Sequence, residues 1–229
     1  HIKAAYNTLK QQEEYEWLNT LVFEFLEYDP FNSNTDNPIK IQMSADELLQ
    51  MVKGYSKIKQ HRKMIFIADN DKPEVSKKIM ESGKNFKEWG NNVYSMTLPI
   101  PNHRKETHNI CIEHLYRDEE ITKWVETDNW KRRVFIGNEF NELGFYIGEE
   151  KFFCKDRNSC GKNKIQIIDG NDDKKVIIPY SENEECNYAL TKMAFAKMVL
   201  EKEVPFENIS FEGFIHLFEV LKDIILCDA

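Results

Sequence analysis

The sequence predicts an α/β layered protein with a largely parallel sheet, and three observations lead there. Helix-like and strand-like patterns alternate from the first residues to Ile100, the order that layers helices on a sheet. Met64–Ala68 (MIFIA) is a short, nearly all-apolar run, the signature of a strand covered on both faces. A chain of 229 residues, 41% hydrophobic and 31% charged, is long enough to bury a core without a metal or a disulfide framework.

Taken in order, Ile2, Ala5, Tyr6 and Leu9 recur at helical spacing with no capping residue before them, so the chain opens in what reads as a helix already under way. Thr20–Tyr28 (TLVFEFLEY) mixes β-branched, aromatic and apolar residues and predicts a strand. A polar loop, Asp29–Pro38, follows it. Ser44-Ala-Asp-Glu47 has capping-box spacing and opens a helix with Leu48, Leu49, Met51 and Val52 facing inward. The basic stretch Lys57–Lys63 leads into the strand Met64–Ala68, which ends in Asp69-Asn70-Asp71. Val75–Lys87 reads as a helix and Val93–Ile100 as the next strand. An amphipathic segment runs from Cys111 through Trp124. Trp130–Tyr180 is polar and turn-rich and predicts short hairpins. Two helices close the chain, one from the capping-box spacing Ser181-Glu-Asn-Glu184 past Met198, the other over Phe211–Leu226. The organisation expected is a core over residues 1–125, a variable β-rich insertion over 126–180, and closing helices over 181–229.

Composition excludes several classes. No run approaches the roughly 20 apolar residues of a membrane helix, and no secretory signal is visible. Five irregularly spaced cysteines argue against a disulfide scaffold and for a reducing cytoplasm. A net charge of −8 removes any general electrostatic footprint for nucleic acid. Phosphate contact would have to come from local patches: Lys131, Arg132 and Arg133 after Trp130, and Lys155, Arg157, Lys162 and Lys164 around Cys154 and Cys160. Each patch also reads as a solvated face.

The chemistry centres on Asp69 and Asp71. On extended backbone, side chains two apart point the same way, so the pair converges just past a strand end, where open α/β sheets bind ligands. Carboxylates held together repel, and a divalent cation resolves the conflict; hard oxygen donors suit Mg²⁺ or Mn²⁺. The competing reading is a turn that caps the following helix, since Asp and Asn are common turn formers. His103, His108, Cys111 and His114 cluster in sequence, and Cys154 and Cys160 flank a basic loop, but neither set has the spacing of a common zinc site.

The stretch IFIADND, followed by a helix and VYSMTLPI, resembles the second half of a Toprim domain. Toprim domains occur in topoisomerases, bacterial primases and the OLD-family nucleases. Ile112-Glu113 and the segment Leu190-Thr191-Lys192-Met193-Ala194-Phe195-Ala196 resemble the OLD branch, and the likeness covers about residues 1–125 and 185–226. The resemblance implies a mostly parallel Toprim-like sheet flanked by helices. It makes Asp69, Asp71 and Glu113 ligands of a two-metal Mg²⁺ or Mn²⁺ site, gives Glu113 and Lys192 catalytic roles, and sets Lys192 to offset phosphate charge. Read without it, Glu113 is a solvated helix residue and Lys192 a surface lysine. The Toprim pattern also carries a glutamate at the end of its first strand. The chain begins inside what reads as the next helix, so that glutamate is expected upstream, or the chain is catalytically incomplete. The family further implies an ABC-type ATPase domain or subunit, upstream or in trans. No Gly-rich phosphate loop lies in these residues.

The expectation is therefore a metal-dependent nuclease module acting on DNA or RNA, with DNA the favoured partner, within an OLD-like ATPase-nuclease of antiviral defence. It would be cytoplasmic, with no membrane partner and self-association left open. The rivals are a primase or topoisomerase fragment and a non-catalytic interaction module that keeps the fold.

Overall fold

The computed structural model describes residues 1–25, 45–105, 107, 109–171, 176–180 and 186–227. The chain divides into two compact units: a terminal unit of Ile2–Leu115 and Phe211–Ala229, and a central unit of Tyr116–Ser210 together with His1.

The terminal unit opens with helix α1 (Ile2–Leu9) and a 3₁₀ segment over Glu13–Thr20. The strand expected over Thr20–Tyr28 is not formed in its described part: residues 21–25 pair with no ladder, and residues 26–28 lie outside the described residues. Leu21 and Phe23 pack against α1 instead, while Val22 stays exposed. Leu21 is buried, the Tyr6 hydroxyl donates to its carbonyl oxygen at 2.8 Å, and the Phe23 ring sits 4.6 Å from that of Tyr6. The loop expected over 29–38 and the capping Ser44 also lie outside the described residues.

Helix α2 (Ala45–Tyr55) precedes strand β1 (Met64–Ala68), then helix α3 (Pro73–Ile79), β2 (Lys87–Gly90) and β3 (Val93–Thr97). The sheet order is β1-β3-β2, with β1 parallel to β3 and β2 antiparallel to it. The sheet is thus mixed where a largely parallel one is expected from the alternating pattern. β3 is buried at every position, whereas β1 alternates between buried and half-buried residues, so the central strand is β3. Leu48, Leu49, Val52, Phe66, Ala68, Val75, Ile79 and Val93 form one apolar cluster, the inward faces of α2 and α3 on the sheet. The Ser95 hydroxyl inside is satisfied: it accepts from Trp89 Nε1 at 2.7 Å and donates to the Ile79 carbonyl at 2.6 Å.

The helix expected over Val75–Lys87 stops at Ile79. Glu81–Asn85 contains Gly83 at φ 77°, and Asn91 and Asn92 sit at φ 54° and 63°. Two consecutive left-handed residues give the primed turn that matches strand twist, so Lys87–Gly90 and Val93–Thr97 form a hairpin.

The central unit contains helix α4 (Asp118–Ile121) and two-residue strands: β4 (Val125–Glu126) with β5 (Lys131–Arg132), β6 (Phe135–Ile136) with β8 (Ile167–Ile168), and β7 (Phe153–Cys154) with β9 (Val176–Ile177). The short hairpins expected over 130–180 form only in part: β6 pairs with β8 and β7 with β9, each across an intervening strand. Phe135, Phe140, Phe152, Cys154, Cys160, Ile168, Val176 and Ala189 build its core. The capping box at Ser181–Glu184 lies outside the described residues. Residues 186–191 are not helical, and helix α5 spans Lys192–Glu201, where Thr191 Oγ1 caps it by accepting from the Ala194 amide at 3.0 Å. The chain then returns to the terminal unit through helix α6 (Ile215–Leu226). Lys63 Nζ donates to the Ile224 carbonyl at 2.9 Å and to that of Cys227, tying the last turn of α6 to the sheet by a cation at a helix C-terminus. Among the described residues no helix is long and apolar enough to cross a membrane.

Candidate functional site

Asp69 and Asp71 follow β1 directly and both are exposed. The pairing of β1 with β3 runs past the last ladder residue, since the Leu98 amide donates to the Ala68 carbonyl at 2.9 Å. One residue later the Asn70 amide donates to the Ile110 carbonyl at 2.9 Å, an antiparallel bridge. Asn70 is therefore held as extended chain on a new partner, and extended backbone turns the side chains of residues 69 and 71 to the same side. Helix α3 begins at Pro73 with Lys72 at its cap position, and the Lys72 side chain makes no capping bond.

The segment that receives Asn70 leads straight into Glu113. Residues Ile112–Leu115 form a 3₁₀ turn in which Glu113 and His114 are 3% and 2% exposed. Glu113 is thus a buried side chain of the terminal unit rather than a solvated helix residue. Three donors fix this turn. The Arg104 Nε and His103 Nε2 groups both donate to the His114 carbonyl, at 3.0 and 3.2 Å, and the Cys111 amide donates to His114 Nδ1 at 2.9 Å. The Cys111 thiol lies 3.2 Å from the same nitrogen. With Nδ1 accepting, the neutral imidazole carries its proton on Nε2. Gly213 completes the frame: a Cβ there would meet the Leu115 carbonyl oxygen at 1.9 Å, so only glycine lets the backbone approach. Arg104 is itself only 8% exposed, and nothing in the sequence around Pro101-Asn-His-Arg marks it as an interior cation.

Hard carboxylate oxygens on exposed backbone fit a hydrated Mg²⁺, which keeps several waters and is commonly held by one or two carboxylates. Among the described residues no three His, Cys, Asp or Glu side chains converge as a metal-binding group. The zinc alternatives resolve into hydrogen bonds. Cys111 and His114 contact each other, His103 reaches the His114 carbonyl, and His108 lies outside the described residues. Cys154 and Cys160 are buried and both approach the Asp156 carbonyl, at 3.6 and 3.3 Å. The adjacent Cys154 thiol and burial push the Cys160 thiol well above its ordinary range.

Lys192 sits in the central unit as the first residue of α5, half-buried, its amide donating to Asp169 Oδ1 at 3.3 Å. The basic residues after Trp130 divide. Lys131 is exposed but pairs with Glu126 at 2.9 Å, and Arg132 stacks 5.5 Å over Trp130. Arg133 is withdrawn from the surface. Its side chain is 5% exposed, its two terminal nitrogens bind the Glu139 carboxylate at 2.7 and 3.2 Å, and its guanidinium lies 3.8 Å over Phe135. Phosphate contact by Arg133 is corrected accordingly: it is an interior structural cation. Lys162 and Lys164 are exposed. No protein-family model, no curated protein and no solved structure matches this chain.

Proposed function

We propose that the terminal unit is a Toprim-like, metal-dependent phosphodiester-cleaving module of the OLD type, with Asp69 and Asp71 as its primary metal ligands. The observation that carries this reading is the backbone bridged at Asn70, with exposed Asp69 and Asp71 on either side of it just beyond the carboxyl end of a strand in a parallel pair. A bound Mg²⁺ or Mn²⁺ would supply charge neutralisation and a water of lowered pKa. Asp69 and Asp71 would hold and orient that ion. Glu113 stands two residues after Cys111 on the segment bridged to Asn70, and its buried, hydrogen-bonded turn holds it against rotation. Lys192 belongs to the other unit and carries no part of this argument. An ATPase partner, a defence role and a preference for DNA rest on the resemblance alone.

Mn²⁺ binding followed by loss of the free-ion EPR signal tests the ligands directly. Asp69→Asn and Asp71→Asn each remove a charged donor and are expected to weaken binding at least ~10-fold, as losses at metal ligands and their supports do. The same substitutions are expected to abolish Mg²⁺- or Mn²⁺-dependent cleavage of plasmid DNA by the whole protein. Mn²⁺ affinity unchanged in both variants would remove the two aspartates from any metal chemistry.

A further inference from the structure

The central unit presents aromatic and apolar side chains to solvent on one hairpin. Leu143, Phe145 and Ile147 are 62%, 50% and 67% exposed, alternating with residues that turn inward. The Phe145 ring lies 5.1 Å from that of Phe153 at 62°. Gly144 permits this, because at φ 84° it carries no Cβ, and one would meet the Cys154 carbonyl oxygen at 2.6 Å and the Phe153 ring at 3.2 Å. The Arg157 guanidinium sits 5.7 Å over Phe153.

Arg157 belongs to a loop, 155–164, that carries four cations (Lys155, Arg157, Lys162, Lys164) and one carboxylate, Asp156, on a chain of net charge −8. Asp156 is engaged inside the loop, accepting from Ser159 Oγ at 2.8 Å, while its carbonyl meets both buried thiols. Whereas Lys131 and Arg133 have carboxylate partners, no ion pair engages the four loop cations among the described residues. The loop is also held against the hairpin: at Gly161 a Cβ would touch Lys164 Cγ at 3.4 Å and Glu142 Cγ at 3.5 Å. Glu142, beside Leu143, is the acidic rim of the patch.

Strand addition cannot use this hairpin. The amides of Leu143 and Phe145 donate to Asn141 Oδ1, and those of Gly144, Tyr146 and Ile147 to the carbonyls of Asn141, Phe152 and Glu139. Recognition there must run through side chains. An exposed ring, Phe145, against a half-buried one, Phe153, beside cations with no ion pair among the described residues is what a single strand of nucleic acid uses, its bases stacking on aromatic faces and its phosphates meeting Lys and Arg.

We propose that Phe145, Phe153 and Arg157, with the lysines of loop 155–164, form a stacking platform for single-stranded nucleic acid. The proposal deepens the nuclease reading by naming an unpaired substrate strand, and it rests on that reading only for this link. Fluorescence anisotropy of a labelled 20-nucleotide oligo-dT and of a duplex of equal length, with the full chain in EDTA and low salt, tests it apart from metal and cleavage. The single strand is expected to bind about tenfold tighter than the duplex. Phe145→Ala and Arg157→Ala should each weaken it about fivefold or more, and Phe145→Trp should restore or tighten binding. Arg157→Ala should also flatten the dependence on salt. Lys197→Ala, an exposed lysine on α5 paired with Glu201, should change nothing. Equal affinity for both oligonucleotides, or a folded Phe145→Ala that binds like the parent, overturns the platform. So does loss in Phe145→Ala of self-association or of anionic-vesicle binding with oligonucleotide binding intact. Asp69→Asn that binds the strand but does not cut it keeps the platform while testing the metal site alone.

Discussion

Arg133 and Glu139 show at the scale of single residues how a charged side chain becomes interior. The guanidinium loses water on every side, and what replaces it is a bidentate carboxylate, the Tyr146 hydroxyl at 3.2 Å and the face of Phe135. The Glu139 carboxylate also accepts from the Ile136 amide at 2.8 Å, so one acid satisfies both a cation and the backbone of β6. Removing one member leaves the other buried and uncompensated, which costs about 3–5 kcal/mol, while replacing both by apolar groups of similar volume is close to neutral. Glu139 is 21% exposed, so water relieves part of the cost. Glu139→Ala is therefore expected to destabilise the protein by about 2–3 kcal/mol, seen as a lower midpoint in urea, and Arg133→Met with Glu139→Leu by much less. A double variant as unstable as the single one would refute the view that the orphaned charge is the source of the loss.

Among the elements, the β2–β3 hairpin decides how Asp69 and Asp71 are supported, because β3 is both its second strand and the parallel neighbour of β1. Its turn requires left-handed backbone at Asn91 and Asn92. Asn tolerates that region through local hydrogen bonding, and the Asn91 and Asn92 amides donate to the carbonyls of Ser56 at 2.7 Å and Gln60 at 2.9 Å. A β-branched residue there meets the steric penalty of about 1–2 kcal/mol and loses the bond, whereas glycine loses only the bond. Asn92→Val should accordingly lower stability by about 2 kcal/mol, and Asn92→Gly by under about 1 kcal/mol, in equilibrium denaturation. Equal losses would show that the bond to Gln60 and not the φ angle sets the turn. The same hairpin marks where sequence pattern misleads. The apolar spacing of Val75 and Ile79 reads as a helix continuing to Lys87, but Gly83 ends that period. The Asn-Asn turn is a weaker written signal than the Asn-Gly that usually announces such a hairpin.

For the whole molecule, legibility follows the distance over which a partner must be found. β1, β3 and α6 were readable because their apolar residues repeat within one segment, and the DxD pair because two carboxylates end an apolar run. The extended look of Leu21–Phe25 misleads because Leu21 and Phe23 are claimed by α1, and Arg133 because Glu139 folds back on it from six residues on and Tyr146 reaches it from a separate turn. The turn that carries Glu113 is held by Arg104, His114 and Gly213, none of which shares a periodic pattern with it. What the sequence does state at this scale is charge: −8 at pH 7, with an isoelectric point near 5.4. Like charge on every copy keeps molecules apart at neutral pH, and the repulsion fades as carboxylates protonate on the way down to that value. One surface then able to attract is the apolar row Leu143, Phe145 and Ile147, three exposed apolar side chains on one short segment. Light scattering is expected to show weak repulsion at pH 7 and 0.02 M salt, turning to attraction as pH approaches 5.4. Leu143→Ser with Ile147→Ser should suppress the attraction without moving the pH at which it peaks. Attraction that persists unchanged in that double variant would place the self-contact elsewhere on the surface, and a peak displaced from the isoelectric point would mean that net charge does not govern it.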